Sequence, residues 1–183
     1  MSKVYIGIDN GVTGSIGVIN GNNTIQLKTP IKRHRKYTKV EAYMNRVDAP
    51  ALYDFLLDEK NISSDVLVIL ERPMINSMFF HSSINAARAL EATINVLELI
   101  GFEYIFVDSK QWQIILDLPK MEKPSPTLTA KDKKLRRAER VKLLKQTSFD
   151  LGIDLYPDCE IIGKRPKDAD GLLIAEWARR KGL

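Results

Sequence analysis

Four acidic side chains in this chain occupy positions where a carboxylate is costly unless something pairs with it or neutralises it. Asp9 ends the apolar run "KVYIGID" and is followed by the glycine-containing stretch "NGVTGS" instead of more strand. Glu71 ends "VLVIL", and Pro73, two residues on, prevents the backbone from continuing a central ladder. Asp168 and Asp170 belong to "RPKDADGLLIAEWARR", in which Leu173, Ile174 and Trp177 follow Asp170 at helical spacing and share its face. If the Asp9 and Glu71 strands are parallel neighbours, their acids meet at one sheet edge, where like charges need a compensating cation. Oxygen donors without clustered His or Cys suit Mg2+ or Mn2+ and do not indicate zinc. Two such ions, about 3.5–4 Å apart, can activate water and stabilise the leaving oxygen of a phosphodiester. Plainer readings stand beside this one. An aspartate just before a helix, as Asp168 is, ordinarily serves as an N-cap, and a first-turn acid such as Asp170 is favoured by the helix dipole.

The elements that must position these acids are legible as periodicities. Alternation in "VYIGID", "SIGVI" and "TIQLKT" predicts three strands in an antiparallel meander, with Asn20-Gly21 as the second turn. "APALYDFLLDEK" has Leu52, Phe55 and Leu56 at helical spacing and Pro50 near its start. "DVLVIL" is continuously apolar, as a strand buried on both faces should be. A helix is expected from Ser82 to Ile100, with Ala87, Leu90, Ile94 and Leu97 on one stripe and Ala86, Ala89, Thr93, Val96 and Ile100 widening it. That width suggests a face shared with another subunit. Gly101 closes this helix, "YIFVD" gives a fifth strand, and "SKQWQIILDL" starts a helix at a serine cap, with Trp112 in the core. Residues 117–130, rich in Pro and Lys, read as a mobile loop before a basic helix. The expected architecture is one α/β domain over residues 1–183, a five-stranded mixed sheet with helices on both faces.

Charge is unevenly distributed. The chain holds 28 basic and 23 acidic residues for a net charge of +5, yet "KDKKLRRAERVKLLK" alone, Lys131 to Lys145, carries +6. "KRHRKYTK", Lys32 to Lys39, is a second basic cluster with an embedded tyrosine. One such run is commonly a solvated helix face; two in an otherwise balanced chain point to a polyanion and make nucleic acid the expected partner. The single cysteine, Cys159, cannot form an internal disulfide, and no apolar run approaches the roughly 20 residues of a membrane span. The start of the chain lacks a signal-peptide pattern, so a cytoplasmic, soluble protein is expected.

Four segments together resemble the RuvC-type Holliday junction resolvases of the RNase H-like nuclease superfamily, especially their bacterial and phage branch. They are "GIDNGVTGSIGVI", "LERP", "VDSKQWQ" and "DADGLLIAEWA", which span most of the chain in the family's order. The resemblance implies an RNase H-like fold, a homodimer, and paired metal-dependent nicks in four-way or branched DNA, in a bacterial cell or a phage-infected host. It assigns metal binding and catalysis to Asp9, Glu71 and Asp170, with two Mg2+ (or Mn2+) ions per site. Asn10 stands where the family commonly has proline. The family's last two ligands are usually three residues apart, which here would select Lys167; the available acid is Asp168. Two residues on a helix point about 200° apart, so Asp168 joins the site only if it lies ahead of the first regular turn. By the same resemblance "MINSMFFHSS" approaches the junction, with Phe79 or Phe80 stacking on an unpaired base; the alternative is that both are core. Lys110, Lys133, Lys134, Arg136, Arg137 and Arg140 are the candidate phosphate contacts.

Three other functions fit parts of the pattern. "GIDNGVTGSIGVI" also resembles the first phosphate loop of the actin-like and sugar-kinase ATPases, although 183 residues cannot hold their duplicated domain. A nuclease for flaps or RNA–DNA hybrids, and a DNA-binding module without catalysis, use the same features.

Overall fold

Val4–Ile8 (β1), Ser15–Asn20 (β2) and Asn23–Lys28 (β3) form the antiparallel meander that their alternation predicts. Gly21, at φ 58°, supplies the left-handed residue of the second turn. Val66–Glu71 (β6) lies parallel to β1 on its other side, with Ile8 opposite Leu70, and Glu103–Val107 (β7) lies parallel to β6. The computed structural model of the chain describes residues 3–36, 39–119 and 129–183. Most of the expected loop at 117–130 therefore lies outside the described residues, as do the side chains of Lys133, Lys134 and Arg137.

The sheet is larger than the five strands expected. Glu160–Ile162 (β8) pairs in parallel with β3, giving six strands in the order β7-β6-β1-β2-β3-β8, in which β2 alone runs against the others. Ile31–Arg35 (β4) and Tyr43–Val47 (β5) form a separate two-stranded ladder, so the second basic cluster is partly strand. Neither addition has a buried alternating face to reveal it: every residue of β8 is exposed, and "IKRHR" contributes no core side chain.

Helices cover both faces. Ala49–Ile62 (α1), with Pro50 in its first turn, and Phe80–Ile100 (α2) pack on one side, where Leu52, Leu56, Val96 and Leu97 meet Ile6, Val18 and Val68. Helix α2 begins two residues before Ser82, after a single 3-10 turn at Ser77–Phe79, and Ala87 is exposed, not on the buried stripe. Gly101 ends it in the left-handed conformation, φ 76°. On the other face Asp170–Lys181 (α5) fills the second core with Leu172, Leu173 and Ile174, beside Ser109–Ile115 (α3) and Ala130–Leu155 (α4). The residue that caps α3 is Asp108, one position before the expected serine; the Asp108 N–H donates to Gln111 Oε1 at 2.8 Å. This is the box arrangement that satisfies otherwise orphaned donors.

Helix α5 lies unusually close to the sheet. A Cβ added to Gly17 would stand 2.2 Å from Leu172 Cα, and one added to Gly171 would stand 2.5 Å from the Ser15 carbonyl oxygen. Only hydrogen at both positions lets helix and strand backbones approach this far. Among the described residues no helix is long and apolar enough to cross a membrane.

Candidate metal centre and its basic surround

The parallel register of β1 and β6 puts the residues after Ile8 and Leu70 at one sheet edge, so Asp9 and Glu71 emerge side by side. Asp9 is held by the turn that follows it: its N–H donates to the Ser15 carbonyl at 2.9 Å, and the Gly14 N–H donates to Gly11 at 3.2 Å. Asn10 donates its side-chain N–H to the Ala86 carbonyl at 3.4 Å, which ties this turn to α2. The close seat of α5 on β1 and β2 brings Asp168 and Asp170 to the same edge. Asp9, Asp168 and Asp170 each present an oxygen within 4.8 Å of the other two. Glu71 stands outside that three-way set but lies near enough for its charge to raise the Asp9 carboxyl.

Asp168 does not cap the helix. Ala169 occupies the N-cap position, and the Asp168 side chain, 1% exposed, turns into the site. There it accepts a hydrogen bond from Ser15 Oγ at 2.9 Å and an ion pair from Lys145 of α4. Its carbonyl accepts from Gln26 Nε2 at 2.7 Å. Because Asp168 precedes the first regular turn, helical geometry does not force it away from Asp170. Lys167, at the position the resemblance would select, is exposed. Asp170 Oδ1 is hydrogen-bonded by Ser148 Oγ, and Trp112 Nε1 donates to Glu71 Oε1 at 3.3 Å. Trp112 is thus buried, as expected, and also orients an acid.

The electrostatics record an excess of negative charge. Burial, then the charges of Glu71 and Asp168, raise the Asp9 carboxyl well above the usual carboxylate range. Burial, then Asp168 and Asp9, push Asp170 up to about 7. Glu71 is also raised, first by burial, although the Asp9 and Trp112 hydrogen bonds oppose the rise. Burial would lower the Lys145 ammonium, but its bond to Asp168 and the surrounding carboxylates hold it above the ordinary lysine value. Among the described residues one ammonium faces four acids, an excess of negative charge, and the all-oxygen donor set fits a hard divalent cation.

Sequence reasoning missed Lys145, Ser148 and Ser15. Lys145 is the last residue of the basic run, and the three-residue spacing of Lys142, Lys145 and Ser148 was the one signal that this helix face turns inward. Beside the cluster lies a groove of about 710 Å3 with Lys142, Lys145, Arg165 and Lys167 on its walls. The Arg165 guanidinium lies 4.1 Å from the Phe149 ring centroid. Of the expected phosphate contacts, Arg136 is exposed and Arg140 half-buried on α4, and Lys110 is exposed on α3. Phe79 and Phe80 are outside the core, 47% and 63% exposed.

No family model and no curated protein matches the chain. Solved structures do. Thermus thermophilus RuvC in complex with a Holliday junction substrate aligns with a TM-score of 0.53 at 14% identity, covering 99% of this chain and 97% of that one. A second Thermus thermophilus RuvC structure aligns at 0.45 and 14% identity over 98% of this chain and 96% of that one. The first likeness gives the fold: α/β and RNase H-like, a central sheet flanked by helices.

Proposed function

We propose that this protein is a divalent-metal-dependent endonuclease that nicks four-way or otherwise branched DNA in the cytoplasm, as a homodimer. The observation that carries this reading is the convergence of Asp9, Asp168 and Asp170 within 4.8 Å at one edge of an RNase H-like sheet, with Glu71 beside Asp9 at the neighbouring strand end. The fold likeness to a RuvC solved with a Holliday junction substrate supports branched DNA as the substrate class.

Asp9, Asp168 and Asp170 would hold Mg2+ or Mn2+, with Glu71 completing the donor set. When bound, such ions polarise phosphoryl oxygens and make water a nucleophile at neutral pH. The chain's own residues do the rest. Ser15, Ser148 and Trp112 fix the carboxyl groups in place, so little reorganisation is needed when cation and substrate arrive. Lys142, Arg165 and Lys167 line the adjoining groove as phosphate partners, and Arg136 extends the basic surface along α4. The exposed Phe79 and Phe80 offer ring faces to an unpaired base at a branch point.

The test is incubation with a labelled four-way junction, a flap and a linear duplex, with and without Mg2+ or Mn2+. Metal-dependent nicking of the junction in preference to the duplex is expected. A flap cleaved in preference to the junction would replace the substrate, and cleavage of none would remove the proposal.

A further inference from the structure

Both carboxylate oxygens of Asp168 are engaged, and the two engagements differ in kind. Oδ1 accepts from Ser15 Oγ at 2.9 Å, and that hydroxyl, fully buried, is itself fixed by the Gly171 N–H at 3.1 Å. Among the described residues Oδ2 is held only by the Lys145 ammonium, which reaches in from α4 on a flexible side chain one-third exposed. Oδ2 is thus the oxygen that can exchange its partner.

Charge is what keeps Lys145 at the cluster. Burial alone would expel an ammonium; the bond to Asp168, then the charges of Asp170 and Asp9, hold it in place. Those are the three acids whose oxygens lie close enough together to share a divalent ion. An ion seated among them cancels the attraction on Lys145 and repels it at short range. The surroundings set where the ammonium then goes. Lys145 lines the groove of about 710 Å3 together with Lys142, Arg165 and Lys167, and no carboxylate is among the described residues that line it. The Arg165 guanidinium is already seated on the Phe149 ring. An ammonium turned into this space joins three cations without a protein counter-ion, so an anion entering the groove is what completes it.

We infer that Lys145 is a substrate-binding residue released by the metal: it leaves Asp168 Oδ2 when a divalent ion binds, and donates to a phosphate of the DNA strand in the adjoining groove. The inference rests on the nuclease reading and adds a phosphate contact to it. Ion and DNA then bind with positive coupling, each raising the affinity for the other.

The experiment reads Lys145 directly. The protein is acetylated at trace level with acetic anhydride, and labelling of Lys145 is measured by mass spectrometry relative to Lys181, exposed at the far end of α5. This is done without divalent ion, with whichever of Mg2+ and Ca2+ raises the melting temperature, and with that ion plus a four-way junction. Relative labelling of Lys145 should rise severalfold with the ion and fall again when the junction is added. The salt dependence of junction binding is then compared for the wild type and Lys145→Met, which keeps most of the stem. Without the ion the two slopes should agree; with it the wild type should exceed the variant by about one unit, the mark of one more phosphate contact. Labelling unchanged by the ion, or equal slopes in its presence, overturns the inference and leaves the nuclease reading standing. A slope difference of the same size without the ion overturns it too, because Lys145 would then reach DNA independently of the metal. If the variant fails to fold, the wild-type labelling decides alone. A melting temperature that neither ion raises, or a wild-type protein that binds no junction, overturns both.

Discussion

Lys145 of α4 is ion-paired with the carboxylate of Asp168, a side chain only 1% exposed. Its positive charge opposes the rise of the Asp9 and Asp170 carboxyls. In the metal-free protein Lys145 therefore stands in, partly, for a divalent ion. Removing one partner of a buried pair leaves the other uncompensated, typically at a cost of about 3–5 kcal/mol. Lys145 is one-third exposed, so a loss of roughly 1–3 kcal/mol is expected for Lys145→Ala without metal. Thermal melts with and without Mg2+ check this. The variant should melt lower without metal and gain more from Mg2+ than the wild type; equal gains would mean that Lys145 does not share the cation's place.

Asp9→Asn or Glu71→Gln should abolish cleavage while junction binding persists, because the charge removed belongs to the acid cluster and not to the basic surface. Gel-shift and cleavage assays on the same preparations separate the two. Comparable nicking by both variants in Mg2+ would take these acids out of the mechanism.

Stability should depend on pH in the direction opposite to that of a salt-bridged acid. Asp170 is pushed up to about 7 and Asp9 is also raised, both first by burial. An acid whose folded-state pKa exceeds its unfolded value penalises folding above that pKa, and the penalty is lifted as pH falls through it. Metal-free protein should therefore gain stability as pH drops from roughly 8 to roughly 6, at up to about 1.4 kcal/mol per pH unit for each proton taken up. Asp170→Asn should flatten the profile and raise stability at its alkaline end. Denaturant midpoints across that range measure it, and a profile unchanged by the substitution would contradict the assignment.

Neutralising Arg136 and Arg137 together should weaken DNA binding across sequences and lower the salt slope by about one to two units, the mark of lost phosphate contacts. An unaltered slope would put this part of α4 away from DNA.

Met74, Ile75, Met78 and Ile84 are exposed around the start of α2, close in sequence to Phe79 and Phe80, and on the homodimer reading they are apolar side chains for a second copy to cover. Ile84→Asp should shift a dimer towards monomer in sedimentation without lowering the monomer's stability by more than about 0.5 kcal/mol. A wild-type protein that sediments as a monomer would end the homodimer reading.

What the sequence disclosed followed from local period. Continuous apolarity in "VLVIL" and alternation in "VYIGI" marked β6 and β1, and their parallel register was enough to bring Asp9 and Glu71 together. Asp168 was ambiguous because its role depends on where α5 begins, and helix ends shift by one or two residues with tertiary context. Lys145 and Ser148 left only a faint periodic signal for a different reason. They lie on a helix whose composition reads as solvent-facing, and only its packing against α5 turns that one face inward. The β4–β5 ladder and β8 escaped notice because backbone pairing, not burial, sustains them.

The glycine-mediated seat of α5 on β1 and β2 has a consequence for the growing polypeptide. Asp9 and Glu71 are made early, whereas Asp168 and Asp170 arrive only when α5 has emerged and docked onto strands synthesised long before. On the nuclease reading, a nascent chain would thus carry an incomplete set of acids, and no competent metal centre, until that docking.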